Sequence, residues 1–83
     1  MKITVRYFAS IREAIGLGSE AVETAATTLG ALRDELIARG GAHASSLARG
    51  RAVRMALNQT LSDESATLAD GAEVAFFPPV TGG

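Results

Sequence analysis

Residues 70–83 read Asp-Gly-Ala-Glu-Val-Ala-Phe-Phe-Pro-Pro-Val-Thr-Gly-Gly. Asp70 and Gly71 suit a tight turn, after which Val74 and Phe76 face one way while Glu73, Ala75 and Phe77 face the other, the alternation of a half-buried strand. Pro78 and Pro79 have no backbone N–H for a ladder and favour extended geometry, so the sheet is expected to stop at Phe77. Residues 78–83 are then an extended tail, and residues 1–77 the folded domain.

Working outward, the same alternation runs from Lys2 to Phe8, with Ile3, Val5 and Tyr7 on one face and Lys2, Thr4, Arg6 and Phe8 on the other. Ser10 and Glu13 have the spacing of a capping box and open a short helix closed by Gly16. Ser19 to Thr24 reads as a weak second strand around Val22. Thr28 is an N-cap for a longer helix whose Leu29, Leu32, Leu36 and Ile37 share one face, with Arg33, Asp34, Glu35 and Arg39 turned away and Gly40 and Gly41 ending it. Residues 42–51 read as a surface loop with at most one helical turn around Ser46 to Ala48. Val53, Met55 and Leu57 alternate with Arg54, Ala56 and Asn58, and Asn58–Gln59 suits a tight turn with Leu61 on a brief return. This order of elements is best closed by pairing the first strand with the last over the long helix. The expected fold is α+β, a ubiquitin-like β-grasp with a mixed sheet of four to five strands packed on one main helix.

Composition narrows the function. A chain of 83 residues forms one domain without room for a deep catalytic cleft, and 47% apolar residues with a formal net charge of −1 favour neither disorder nor nucleic-acid binding. Cysteine is absent, so disulfides, thiolate nucleophiles and soft metal sites are excluded together. With no apolar run long enough to span a bilayer and a strand starting at once, the chain is expected to be cytoplasmic, without membrane or nucleic-acid partners.

The tail is the strongest candidate for chemistry. Six extended residues would carry the Gly83 carboxylate about 15–20 Å from the sheet. Gly82 and Gly83 add no side chains, so the end beyond Thr81 can thread a narrow passage, and the α-carboxylate is an ionised oxygen nucleophile near neutrality. A frayed end is the bland alternative; the placement directly after a proline-terminated strand favours a presented substrate. Phe8 and Phe77 both take the outward phase of their strands, which points to a protein-docking patch with Leu61 beside it and Arg6 and Arg54 as its polar rim.

Other motifs fail on context. Gly16, Gly18 and Ala21 match G-x-G-x-x-A, but here they follow a helix and lead into a strand, the reverse of a dinucleotide site. His43, Ser45, Ser46 and Asp70 have the residue types of a hydrolase triad without a nucleophile elbow. Asp63 and Glu64 read as solvated surface, and Asn58-Gln59-Thr60 as a turn rather than a glycosylation site.

Taken together, Tyr7-Phe8-Ala9 with Arg12 and Glu13, Ala56 to Leu61 as ALNQTL, and the block from Asp70 to Gly83 resemble the small, sulfur-carrying subunits of molybdopterin synthase. The resemblance covers nearly the whole chain except the alanine-rich stretch from Gly40 to Ala52. It implies a β-grasp whose Gly83 carboxylate is adenylated by an ATP-dependent, ubiquitin-activating-like adenylyltransferase and converted to a thiocarboxylate. It further implies that the large synthase subunit receives the tail and that sulfur passes to cyclic pyranopterin monophosphate. Phe8, Leu61 and Phe77 match that family's partner-docking positions. On this reading the isolated chain is not an enzyme, binds no cofactor or metal itself, and leaves ATP to the activating partner. Sulfur carriage for thiamine or cysteine pathways, conjugation to proteins, and a binding module with an incidental tail are the alternatives.

Overall fold

The computed structural model describes residues 1–79. The chain runs β1 (Lys2–Tyr7), α1 (Ala9–Ile15), β2 (Ser19–Glu23), α2 (Leu29–Ile37), α3 (Gly41–Leu47), β3 (Arg54–Leu57), β4 (Thr60–Ser62) and β5 (Glu73–Phe77). The strands form one sheet in the order β2-β1-β5-β3-β4. The central pair, β1 and β5, is parallel and all other pairs are antiparallel. This is the β-grasp arrangement expected from the sequence, with the first and last strands side by side.

One face of the sheet is covered. Ile3, Val5 and Tyr7 from β1 and Val74 and Phe76 from β5 are buried together with Leu29, Leu32 and Leu36 of α2, Ile11 of α1 and Leu47 of α3. These apolar positions recur at the strand and helix periods, so burying them removes both patterns from water at once. Thr28 caps α2, its hydroxyl accepting from the Ala31 N–H at 3.2 Å. Asn58 and Gln59 both have positive φ, 49° and 69°, the geometry of the hairpin turn between β3 and β4.

Four local expectations are corrected. The capping box before α1 does not form: Phe8 occupies the N-cap position without a side-chain cap, and its carbonyl accepts from the N–H groups of Ile11 and Arg12 at 3.2 Å each. Ser10 already lies within the helix, where its hydroxyl is past the orphan donors it was expected to satisfy. Residues 41–47 are a helix rather than a loop, with Ser46 and Leu47 buried. Arg33, expected on the solvent side, is 4% exposed. Its Nε donates to the Leu47 carbonyl at 2.7 Å and its Nη2 to the Ala48 carbonyl at 3.1 Å. The end of α3 leaves carbonyls without helical donors, and a guanidinium supplies several donors in one plane, so Arg33 caps a helix distant in sequence.

Glu64, expected to be solvated, joins the same arrangement. It accepts from Arg33 Nη1 at 3.2 Å and from Arg49 Nη2 at 2.6 Å, and its carboxyl is held below the usual range by the Arg49 hydrogen bond acting against partial burial. Arg49 also pairs with Asp34. Gly30 is required where the segment carrying Glu64 crosses α2: an added Cβ would sit 2.8 Å from Glu64 Oε1 and 3.3 Å from its backbone oxygen.

A second polar cluster ties the β2 edge to the helices. Glu20 accepts from the Tyr7 hydroxyl at 2.7 Å and from Arg39 Nη1 at 2.8 Å, and lies 2.9 Å from His43 Nε2. Burial alone would raise the Glu20 pKa, but the bonds from His43, Arg39 and Tyr7 override it and hold the carboxyl at about 2, against an ordinary 4.5. Burial, followed by the Glu20 bond, pushes the Tyr7 phenol up. Because the folded-state pKa is depressed, Glu20 contributes stability above the unfolded carboxyl's titration that is lost as pH falls from about 4.5 through about 2. Urea denaturation across that range should show Glu20→Gln with a shallower acid loss of stability than the parent. An equal loss in both proteins would exclude the carboxylate as its source.

Candidate functional site

The uncovered face of the sheet carries the predicted surface. Strand register places Arg6, Ala75, Ala56 and Leu61 in one row across β1, β5, β3 and β4. In the next row toward the end of β5, Phe77 pairs with Arg54. Phe8 stands beside Phe77 because the Phe8 N–H donates to the Phe76 carbonyl at 3.2 Å, extending the parallel ladder by one residue.

Arg6, Phe8 and Phe77 line one open apolar cleft of about 570 Å³, together with Ala75, Pro78 and Pro79. Phe8 is 38% exposed and the Arg6 guanidinium lies over its ring, 5.1 Å from the centroid. That contact is a cation–π pairing on one side of a partly exposed ring. Arg6 also approaches Glu73 at 3.8 Å, an exposed pairing of small energetic worth.

Leu61 is not beside the phenylalanines. It lies two strands beyond β5, about 10 Å away at ordinary strand spacing, and shares a separate groove with Arg54, Met55 and Asp63. At 63% it is the most exposed of the large apolar side chains among the described residues. Ala75 and Ala56, in the row between, are the small side chains that separate cleft from groove. The five named residues thus occupy one face in two clusters. The sequence reading missed Ala9, Gln59, Pro78 and Pro79 as cleft lining; the Pro-Pro pair after a strand was the available signal, since it directs the exit of the chain.

β5 ends at Phe77, as the prolines require. Pro78 and Pro79 follow at the rim of the cleft. Thr81, Gly82 and Gly83, expected to carry the chemistry, lie outside the described residues. The residues considered for a triad are not brought together: His43 is engaged by Glu20, Ser46 is buried, and Asp70 Oδ1 accepts from the Lys2 N–H at 2.7 Å. Among the described residues no group of three or more His, Asp and Glu is placed to hold a metal ion, and no helix is long and apolar enough to cross a membrane.

The ThiS family matches residues 5–83. The chain belongs to the ThiS family. Among relatives, the molybdopterin synthase sulfur carrier subunit of Escherichia coli (strain K12) is 43% identical over 81 residues, covering 98% of this chain and 99% of that protein. Among solved structures, the complex of subunits 1 and 2 of molybdopterin-converting factor from Helicobacter pylori 26695 contains a chain 30% identical to this ThiS-family protein. That likeness has a TM-score of 0.71 and covers 100% of both chains. SAMP1 from Haloferax volcanii is 25% identical with a TM-score of 0.78, again over 100% of both chains.

Proposed function

We propose that this ThiS-family chain is the sulfur carrier subunit of molybdopterin synthase, with the Gly83 carboxylate as the atom-carrying group. The observation that carries the reading is the 43% identity to the E. coli sulfur carrier subunit across 99% of that protein, supported by a β5 that stops at Phe77 before Pro-Pro, beside an open apolar cleft.

The chemistry follows from what a carboxylate can and cannot do. As an ionised oxygen nucleophile it is unreactive toward a sulfur donor, so it must first be made electrophilic. An adenylyltransferase partner supplies ATP; a Gly83 carboxylate oxygen attacks its α-phosphorus and pyrophosphate leaves. Hydrosulfide released by the sulfur donor then attacks the acyl carbon, the C–O bond to AMP breaks with its electron pair leaving on AMP, and loss of the S–H proton leaves a thiocarboxylate. The large synthase subunit receives the tail in an enclosed site, where sulfur passes to cyclic pyranopterin monophosphate and water returns the end to a carboxylate. Catalytic groups belong to the partners; this chain supplies reach and docking in the cytoplasm.

Incubating the protein with its activating enzyme, ATP and a sulfur donor should give an intact-mass increase equal to exchange of one oxygen for sulfur, located at Gly83. Unchanged mass would overturn the reading. A second reading, attachment to lysines through the same activated end, draws on the likeness to SAMP1; isopeptide-linked adducts in cell extracts would favour it.

Docking is assigned to the face carrying Phe8, Phe77, Arg6, Leu61 and Arg54. Phe77→Ala should weaken binding of the large subunit by about 2 kcal/mol or more, as expected of a central aromatic anchor. Calorimetric titration showing wild-type affinity would remove Phe77 from the interface.

A further inference from the structure

Half of the basic residues gather where β5 leaves the sheet. Of the eight lysines and arginines, Arg33, Arg39 and Arg49 are committed to close ion pairs with Glu64, Glu20 and Asp34. Arg6, Arg12, Arg51 and Arg54 all lie at the end of the sheet where β1 and β5 finish and β3 begins. Arg12 is one turn into α1, its guanidinium against Gly18 at the start of β2. Arg51 lines a small cleft with Pro78, at the base of the tail. Arg54 stands opposite Phe77 in the ladder. All four are exposed. Among the described residues Arg12, Arg51 and Arg54 form no ion pair, and Arg6 has only the long contact to Glu73. The acidic residues near these arginines are Glu73, which approaches Arg6 and lines the same cleft, Glu13, beside Arg12, and Asp63, which shares a groove with Arg54 and accepts from Ser65.

We propose that these arginines form a collar around the tail exit that meets a carboxylate-rich rim on the partner protein, steering the tail toward its entrance. The inference rests on the docking role assigned above to the cleft of Phe8 and Phe77, which Arg6 lines and which the other three adjoin at Ala9, Pro78 and Phe77. In a chain of net charge −1, four like charges on one end are repulsive, and an opposing acidic rim removes that repulsion on contact. A fixed partner surface of complementary sign also raises the rate of productive encounter, an effect that fades as salt shortens the range of the field. An inorganic anion would need converging, partly buried donors, whereas these guanidiniums are spread around an apolar centre, as on the rim of a protein interface.

Association of the full chain with the large subunit should be followed by stopped-flow across a salt series. The double variant Arg51→Gln/Arg54→Gln should slow association about five-fold or more at low salt and flatten its salt dependence. Adding Arg12→Gln should slow it further, while Lys2→Gln, at the opposite end of β1, should leave the rate unchanged. Thermal unfolding checks that the variants fold, as exposed positions allow. An unchanged or faster rate in the double variant overturns the collar, as does equal slowing by Lys2→Gln, which would mark a whole-molecule charge effect. Phe77→Ala is measured alongside: if it weakens binding while the arginine variants do nothing, the collar fails and the docking face stands; if Phe77→Ala is also silent, the docking face itself is wrong.

Discussion

Deletion of Gly83 should abolish sulfur acquisition and transfer while leaving the fold and the affinity for the large subunit intact. Among the described residues every strand and helix lies within residues 2–77, so the loss of one terminal residue removes none of them. It does withdraw the carboxylate by about 3.5 Å, one extended residue. A reacting group displaced by about 1 Å already costs on the order of 10²-fold in rate, so the shortened chain should fall below detection in a reconstituted assay. The informative comparison is intact mass after incubation with ATP and sulfur donor, beside calorimetric binding to the large subunit. Retained sulfur loading would place the reactive group elsewhere; lost binding would give the tip a docking role in addition to its chemistry.

The second large effect separates two adjacent residues. Phe76 is 0% exposed and stacks near Tyr7, ring centroids 6.3 Å apart, whereas Phe77 points to the opposite face and lines the open cleft. Phe76→Ala should cost about 3–5 kcal/mol of stability through the lost transfer energy and the cavity left behind. For a domain of this size that is a large part of a total on the order of 5–10 kcal/mol. Phe77→Ala should leave stability within about 1 kcal/mol, because the truncated ring already faces solvent on one side. Urea unfolding measures both; the midpoint should fall steeply for Phe76→Ala with little change in slope. A reversed order, with the steep fall in Phe77→Ala, would mean that the register of β5 is wrong, since a one-residue slip exchanges the faces.

That alternation is also why so much of the sheet was legible. β1, β3 and β5 each place one apolar set on the core side and a mixed set outside, and this period of two is visible without knowing the partner strands. The turn at Asn58–Gln59 and the stop at Pro78–Pro79 were legible because backbone chemistry permits few alternatives there. α3 was not. Of Gly41-Ala-His-Ala-Ser-Ser-Leu47 only Leu47 is a large apolar residue, so there was no stripe to read, and the helix is held from outside by Arg33 and the burial of one leucine. Arg33 was misplaced for the converse reason: a charged residue on a helix is ordinarily solvated, and only the three-dimensional meeting of α2 with the end of α3 gives its guanidinium partners. The docking residues were readable as outward-facing positions. Their division into cleft and groove follows from the count of strands between them, which no local pattern contains.

The parallel pairing of β1 with β5 sets a condition on how the protein comes into being. The middle position of the sheet is filled by residues 73–77, so during synthesis the opening strand can pair early with β2 but must wait for nearly the whole polypeptide before its second neighbour exists. Contacts so distant in sequence form late and slowly, and a nascent chain cut short by a stalled ribosome lacks its central strand and stays open to proteolysis.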